Sequence, residues 1–504
     1  MGVDKLFCYN LQMNILDEEI IMKNKKFEDY TRKVISLIPS KNYTQLLKYF
    51  TRLLKNTRVP FLKKKGFWIS VMQLRLLRNL PRFQNDLRNF KIEYKRSDLD
   101  EKNKKELEDK IIIYQEWIRI FHTIMDGIVW RSLDFNRPII RLLSENQGSG
   151  FISEPYSKIL SKFTSTNDGL VLVNDLTHCL RIGDLTQVTK DKKVFIYELK
   201  EDGKKIIEAS SIFDKLKKHG PDGISRQDQR HLIAQMGIVN NSIEVPVFKE
   251  DGTTDFIKRA DIVNSDIEIE THINEIKKII RKTNKSGFEQ KELEEGFFIE
   301  ITAWDIISKN LSVSNNYDSN FIQKKKDARE DRPEWLKNKS SEIIYLSSLE
   351  SLYTEDNQYP RNLTPISVLP FSSKDCIRMM MGCLEIKVFI NIDILKDKFE
   401  KDGWKVDILK HENNIKIEKP GVGLIKDFMC EIPSEDFLKI SKSNDHGTYH
   451  SVIPITLIFF AITSYYKMSF IINAVKDGFN RGEKEKIKNR QVAINFTKEK
   501  EILV

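Results

Sequence analysis

Alternating apolar and polar positions predict a pair of strands near the middle of the chain. In the run VFIYELK, which ends at Lys200, alternate side chains share one face of an extended strand. One face therefore carries two apolar residues followed by Glu198 and Lys200. The shorter apolar run LTQV precedes it, and the polar TKDKK between the two is typical of a hairpin turn. We therefore predict an antiparallel hairpin that brings Asp184, just before LTQV, beside Glu198.

Hydrophobic periodicity predicts further strands and helices along the chain. Strand-like runs occur at GLVLVN (169–174), GFFIEITAWDII, SSEIIYLSSL, LEIKVFINIDIL and WKVDIL. The segment GISRQDQRHLIAQM predicts a helix that Ser225 caps, and the segment after His446 is also predicted to be helical. Leucines at helical spacing in 41–96 predict N-terminal helices interrupted at Pro60 and Pro81.

These elements predict an α/β or α+β protein with several units. The 504 residues suffice for two to four domains, and a hydrophobic content of 40% supports folded cores throughout. The charged stretch KRSDLDEKNKKELEDK is predicted to be an exposed helix or a linker and marks a first boundary. We expect a basic, mostly helical N-terminal region over 1–110, an α/β (α+β) domain over 111–310, and a second α/β or α+β domain over 335–504.

Positive charge is concentrated near the N-terminus. The segment 41–96 contains fifteen Lys or Arg against Asp86 and Glu93, so its charge of +13 exceeds the +10 of the whole chain. Basic helices interleaved with aromatic residues are typical of surfaces that bind phosphate backbones. A solvated basic face and an anionic membrane surface are the alternatives. We expect nucleic acid as the partner, contacted by Lys63, Lys64, Lys65, Arg75 and Arg78.

The predicted hairpin has a chemical consequence for its two acids. Asp184 and Glu198 repel each other when close together unless a cation lies between them. Mg²⁺ is a hard ion that prefers oxygen ligands, and it commonly takes one or two carboxylates together with water and phosphate. The sequence therefore predicts a site for Mg²⁺, or for Mn²⁺ in its place.

An acid followed by Glu198-Leu199-Lys200 at the end of an apolar strand resembles the PD-(D/E)xK phosphodiesterase superfamily. The resemblance covers the middle of the chain and neither flank. It implies a restriction-endonuclease-like core, which is a mixed sheet flanked by helices. It also implies that Asp184, Glu198 and the Leu199 carbonyl bind the metal, while Lys200 positions the attacking water. The implied reaction is phosphodiester hydrolysis, and an endonuclease is favoured over an exonuclease.

The resemblance implies further site residues on two flanking helices. A helix before the first strand is expected to contribute a glutamate, for which Glu145 and Glu154 are rivals. We favour Glu145 slightly, because a first-turn acid such as Glu154 already has a structural explanation. On the helix after the E-x-K strand, Gln229 is a candidate for the site. Arg226 and Arg230 on the same helix are candidates for phosphate binding.

A second E-x-K tripeptide competes with the first. Glu385-Ile386-Lys387 follows Asp375, but the intervening CIRMMMGCL has no polar turn, and Glu385 begins its apolar run instead of ending it. We therefore prefer the first copy. His178 and Asp175 precede that copy closely. His178 is interpreted either as a general base or metal ligand, or as a satisfied polar side chain at a turn, which is the more frequent case. Asp175 either joins the metal ligands or forms local loop hydrogen bonds.

Location and membrane contact follow from weaker signals. Five cysteines without a C-x-x-C pair are typical of reduced thiols, and the N-terminus lacks the unbroken apolar core of a signal peptide. The segment Val452–Val475 is long enough to span a membrane, but Lys467 and several polar residues interrupt it. We expect a cytoplasmic protein without stable membrane insertion.

Together, these features predict a metal-dependent nuclease whose substrate is DNA in preference to RNA. A partner protein or a second copy of the chain is a further candidate binding partner. Restriction or antiviral defence is an association of the fold and does not follow from the residues. The alternative is a catalytically inactive protein of the same fold that binds nucleic acid or serves as a scaffold in a larger complex.

Overall fold

The fold is seen in a computed structural model that describes part of the chain. The described residues are 41–58, 65–96, 98–136, 139–140, 143, 169–180, 182–200, 205–208, 232, 234–236, 238–239, 242–248, 254–265, 267–313, 323, 327–328, 330–337, 343–347, 364–409, 437–444, 447–454, 464–484 and 491–496.

Helices dominate the N-terminal part of the described chain. They are α1 (Lys41–Arg58), α2 (Lys65–Tyr94) and α3 (Glu101–Ser132). Asp100 caps α3, since its Oδ1 accepts the N–H of Asn103 at 2.8 Å. The charged stretch around residue 100 thus forms the exposed first turns of a helix that continues without interruption into the core. Of the two predicted alternatives for this stretch, the exposed helix is the one observed.

The predicted helix break at Pro81 is wrong. Pro81 lies inside α2, which continues to Tyr94. Proline removes one backbone hydrogen bond and strains the preceding turn. Neighbouring Leu77 and Leu80 are buried in the hydrophobic core, so tertiary packing holds the helix together across the proline. Pro60 lies outside the described residues.

Strands and further helices alternate in the rest of the chain. In order, the strands are β1 (Leu170–Val173), β2 (Leu185–Val188), β3 (Val194–Lys200), β4 (Lys205–Glu208), β5 (Ser242–Phe248), β6 (Thr254–Ser265), β7 (Phe288–Glu294), β8 (Phe297–Ala303), β9 (Ile343–Ser347), β10 (Leu384–Asn391), β11 (Lys405–Leu409), β12 (Phe437–Asn444), β13 (Gly447–Pro454) and β14 (Gln491–Phe496). The helices among them are α4 (Ile273–Ser286), α5 (Trp304–Val313), α6 (Glu334–Lys337), α7 (Ser373–Met380), α8 (Ile392–Lys401) and α9 (Met468–Lys484).

The described strands form small sheets with orders β1-β2-β3-β4, β14-β6-β5, β7-β8-β10-β9 and β11-β12-β13. Neighbouring strands are antiparallel except β14 and β6, which are parallel. The protein is therefore a mixed α+β fold. The strands predicted between 169 and 409 are confirmed, but the last four residues of GFFIEITAWDII and of LEIKVFINIDIL belong to the helices α5 and α8.

The segment after His446 corrects one prediction. It was expected to be helical, but it begins with β13, which pairs with β12 over its whole length. Only the later part, α9, is a helix. The β-branched and aromatic residues in GTYHSVIP favour an extended strand, and pairing with β12 satisfies its backbone. In the part of the chain that is described, every helix is too short or too polar to cross a bilayer.

One hydrophobic core joins the N-terminal helices to the sheets and to the C-terminal helices. Arg58, at the end of α1, donates hydrogen bonds to the carbonyls of Ser367, Leu369 and Phe371. The short 3-10 turn Ile366–Val368 lies directly on α3, where a Cβ on Gly127 would overlap Ser367. Segments that are distant in the sequence are thus packed tightly together.

A buried glutamine closes the outer edge of the first sheet. Gln73 of α2 donates from Nε2 to the Val171 carbonyl at 2.7 Å, and its Oε1 accepts the Val173 N–H at 2.8 Å. The side-chain amide therefore takes the place of a neighbouring strand along β1. Because an edge strand has backbone groups that need partners, this contact fixes α2 to the sheet.

We predict that Gln73→Met lowers the free energy of unfolding by about 3 kcal/mol. The substitution keeps the side-chain volume but leaves a buried carbonyl and a buried N–H without partners, at about 1–3 kcal/mol each. Chemical denaturation measures the loss, with Gln45→Met on the exposed side of α1 as the control. Equal stability of the two variants would contradict the role of Gln73.

Candidate active site on the β2–β3 hairpin

The predicted hairpin between β2 and β3 is confirmed. Leu185 pairs with Tyr197, and the register continues to Val188 opposite Val194. The Thr189 N–H donates to the Lys193 carbonyl at 2.9 Å and closes the turn. Alternation along β3 then decides which side chains face the core.

Asp184 lies beside the end of β3, directly before β2. Its N–H donates to the Tyr197 carbonyl at 2.8 Å, and its carboxylate Oδ2 accepts the Leu199 N–H at 2.6 Å. The Asp184 carboxylate is therefore held against the peptide bond between Glu198 and Leu199. A carboxylate oxygen that accepts a backbone N–H is fixed in direction.

Glu198 occupies the core side of β3. It is 7% exposed and shares its face with Val194 and Ile196, both buried, while Phe195, Tyr197 and Leu199 on the other face are half-buried. Burial of a carboxylate is unfavourable unless hydrogen bonds, a cation or a metal compensate it. The sequence alternation thus predicted the face, and the structure adds that this face is the buried one.

Asn174 and Gly183 shape the turn that leads into Asp184. The Asn174 side chain donates to the carbonyls of Ile182 and Gly183 at 2.8 and 3.0 Å, and its N–H donates to the Asp184 carbonyl at 3.0 Å. Gly183 has φ +71°, and a Cβ there would lie 2.5 Å from Ile196 Cγ2 and 2.9 Å from the Tyr197 carbonyl oxygen. Only glycine fits this close approach without strain.

The other predicted site residues are less fully described. Lys200 ends β3, where it pairs with Lys205 of β4, and Leu199 pairs with Ile206. The side chains of Lys200, Lys65, Arg75 and Arg78 lie outside what the structure describes, although their backbones belong to β3 and α2. Entirely outside the described residues are Glu145, Glu154, Gln229, Arg226, Arg230, Lys63 and Lys64.

Gln235 contacts the hairpin and was not predicted from the sequence. It lies in the helical residues 234–236, and its Oε1 accepts the Ile196 N–H at 3.0 Å while its Nε2 donates to the Val194 carbonyl at 3.0 Å. β4 covers only the Tyr197–Lys200 part of β3, so Gln235 completes the remaining edge. The sequence signal that could have identified Gln235 is its position beside the apolar residues Leu232 and Ala234 of the predicted helix.

His178 is held by Asp126, a partner that the sequence did not reveal. Asp126 of α3 accepts the N–H groups of His178 and Cys179 at 2.7 and 3.1 Å, and His178 Nδ1 lies 2.9 Å from its other oxygen. The His122 and His178 rings are 4.8 Å apart. Burial alone raises the pKa of the Asp126 carboxyl, but attraction and hydrogen bonds from His178 outweigh it and hold that pKa below its usual value. This geometry favours the structural interpretation of His178.

Asp175 belongs to the short 3-10 turn Asn174–Leu176, which directly follows β1. Its neighbour Asn174 makes the hydrogen bonds that orient the turn before Asp184. The backbone around Asp175 is therefore a turn, as the loop interpretation expects.

The competing E-x-K copy does not form a comparable hairpin. Asp375 lies in the first turn of α7, where it contacts Ser372 and Arg378. Glu385 is the second residue of β10. Its Oε2 accepts a hydrogen bond from Trp304 Nε1 at 3.2 Å, and its Oε1 lies 3.8 Å from Lys387 Nζ. Asp375 is thus engaged by its own helix, which agrees with our preference for the first copy.

The residues at the hairpin fit a hard cation by donor type. Asp184, Glu198 and the Leu199 carbonyl offer oxygen atoms only, as Mg²⁺ and Mn²⁺ prefer. Within the described residues, no group of three or more His, Cys, Asp and Glu side chains is arranged to hold a metal. The set implied by the resemblance takes its third acid from Glu145 or Glu154, outside those residues.

We predict that Gly183→Ala lowers the free energy of unfolding by about 3 kcal/mol, from backbone strain and overlap with β3. Gly403→Ala is the matched control, because Gly403 also has positive φ (+80°) but its Cβ would meet no atom within 4 Å. At Gly403 the backbone strain of a side chain at positive φ is expected to cost about 1–2 kcal/mol. Denaturation midpoints compare the two, and equal losses would show that the turn before Asp184 tolerates a side chain.

Comparisons with protein-family models, with curated proteins and with solved structures find no match to this chain.

Proposed function

We propose that the protein is a divalent-metal-dependent nuclease whose active site is built on the β2–β3 hairpin from Asp184, Glu198 and Lys200. The observation that carries this proposal is the hydrogen bond from the Leu199 N–H to Asp184 Oδ2 at 2.6 Å. It fixes the Asp184 carboxylate against the peptide bond between Glu198 and Leu199.

The arrangement of elements around the hairpin supports the same proposal. A helix, α3, precedes three antiparallel strands, β1, β2 and β3, and the helical residues 234–236 contact β3 through Gln235. This order agrees with the restriction-endonuclease-like core that the resemblance implies. We assign the first sheet and its flanking helices to such a core.

Each residue has a distinct task in the proposed hydrolysis. Asp184, Glu198 and the Leu199 carbonyl would hold Mg²⁺ or Mn²⁺, with Glu145 or Glu154 as the additional acid. A metal held there would supply Lewis-acid chemistry for a phosphoryl oxygen and for the attacking water. Lys200 positions the attacking water and stabilises negative charge that develops on the phosphate. Gln229 assists at the site, and Arg226 and Arg230 bind the phosphate.

Nucleic acid is the proposed substrate, and DNA is favoured over RNA. The basic N-terminal segment supplies electrostatic attraction to a phosphate backbone without reading its sequence. Restriction or antiviral defence is the role that this fold association suggests. The alternative function is a catalytically inactive nucleic-acid-binding protein, and the 7% exposure of Glu198 favours it by limiting the carboxylate surface that a metal can reach.

We predict that Asp184→Ala and Lys200→Ala each reduce cleavage of single- or double-stranded DNA or RNA at least about a hundredfold in Mg²⁺ or Mn²⁺. Lys387→Ala is the matched control, because it removes the lysine of the competing E-x-K copy. It is expected to cut as wild type does. Labelled oligonucleotides resolved on denaturing gels measure the rates.

Two outcomes decide between the alternatives. If Asp184→Ala and Lys200→Ala cut as well as wild type, the assigned site is wrong. If wild type binds nucleic acid but cuts none of these substrates with either metal, the inactive binding protein is the better account.

A further inference from the structure

We propose that the exposed side of α1 is a docking surface for the backbone and bases of single-stranded nucleic acid. This surface, the α1 basic face, consists of Lys48, Tyr49, Arg52 and Lys55. The inference rests on the proposed function only in taking nucleic acid as the partner. It does not require that the protein cleaves it.

Helical geometry places these side chains together. All four are exposed, as are Gln45 and Asn56, and such spacing puts residues on one face of a helix. The opposite face of α1 carries Tyr43, Phe50 and Leu54, which are buried in the hydrophobic core. One side of the helix is therefore fixed in the protein, and the other is presented to solvent.

The α1 basic face carries three positive charges. α1 contains no Asp or Glu, and no carboxylate among the described residues forms an ion pair with Lys48, Arg52 or Lys55. From Lys48 to Lys55 the helix rises about 10 Å, so the three cations lie within reach of neighbouring phosphates on one strand.

Tyr49 adds an aromatic surface between the cations. Its side chain is 50% exposed, although its ring packs edge-on against Phe50 at 5.3 Å and near Phe121 at 6.4 Å. Both of these rings are buried. Contacts with the core therefore hold the Tyr49 ring in place before any ligand binds, and a fixed aromatic ring beside cations suits a stacked base.

An anionic membrane is a poorer fit to this surface. A helix that lies in a membrane interface inserts its apolar face among the lipid chains. In α1 that face is already occupied, because Phe50 and Leu54 pack inside the protein. What remains outside is polar and cationic with a single aromatic ring.

A second helix provides a matched comparison. α4 also exposes Lys278, Arg281 and Lys285, the same residue types at similar spacing. It differs in having no aromatic residue and in carrying an acid, Glu275, in its first turn. If positive charge alone decided binding, α1 and α4 would contribute equally to nucleic-acid affinity. The proposal predicts that α1 contributes and α4 does not.

The test is a binding titration of the full chain with a fluorescent deoxythymidine oligomer of about fifteen nucleotides in excess chelator, which prevents metal-dependent cleavage. Replacing Lys48, Arg52 and Lys55 together with Ala is expected to weaken binding at low salt. It should also reduce the slope of log affinity against log salt by about 2, as for three phosphates on a single strand. Replacing Lys278, Arg281 and Lys285 is expected to leave the slope near its wild-type value.

Tyr49 tests the aromatic part of the surface separately. Tyr49→Ala is expected to weaken binding of the oligomer about tenfold, whereas Tyr49→Phe keeps the ring and binds as wild type does. Binding of the corresponding duplex should be less sensitive to Tyr49→Ala. Melting temperatures show that each variant is folded.

Four results would overturn the inference. They are absence of oligomer binding by wild type at low salt, equal losses in the two triple variants, no effect of Tyr49→Ala, and preference for phosphatidylserine vesicles over the oligomer. A chain that binds through the α1 basic face but never cuts would support the inference and contradict the proposed function. A chain that cuts with an unchanged KM after the α1 substitutions would contradict the inference alone.

Discussion

The pairing register of β2 with β3 is the constraint on which the proposed site depends. Leu185 opposite Tyr197 places Asp184 against the peptide bond after Glu198, where the Leu199 N–H binds its carboxylate. Because side chains alternate along a strand, a slip of one residue would turn Glu198 away from the core and separate the two acids. The short polar turn and the apolar face of β3 together determine this register.

Buried polar side chains hold the surroundings of the hairpin. Gln73 and Gln235 supply side-chain amides where strands lack a neighbour, and Asp126 gathers the backbone of the loop at His178. Each of these groups lies on a helix and reaches a strand or loop, so helix packing and sheet pairing stabilise each other. A satisfied buried hydrogen bond contributes little net free energy, but its removal is costly, which makes such contacts specify one arrangement.

Local patterns predicted the hairpin, and they failed where distant residues decide the structure. Alternation and the polar turn TKDKK were sufficient for β2 and β3, because both signals lie within a few residues. Gln73 and Asp126 meet their partners across 98 and 52 positions or more, and no spacing rule connects them. Pro81 was misjudged because burial of Leu77 and Leu80 outweighs the local preference against proline. The roles of Lys200 and of the additional acid stay predictions.

Binding of Mn²⁺ to wild type, Asp184→Ala, Glu198→Ala and the double variant, followed by electron paramagnetic resonance, tests most directly whether the hairpin forms a cation site. If both carboxylates hold one ion, each single variant weakens binding, and the double variant is only slightly weaker than either. The effects of the two substitutions on the free energy of Mn²⁺ binding are then non-additive by about 1 kcal/mol or more. Mn²⁺ affinity that is unchanged in all three variants, or losses that simply add, would contradict the account.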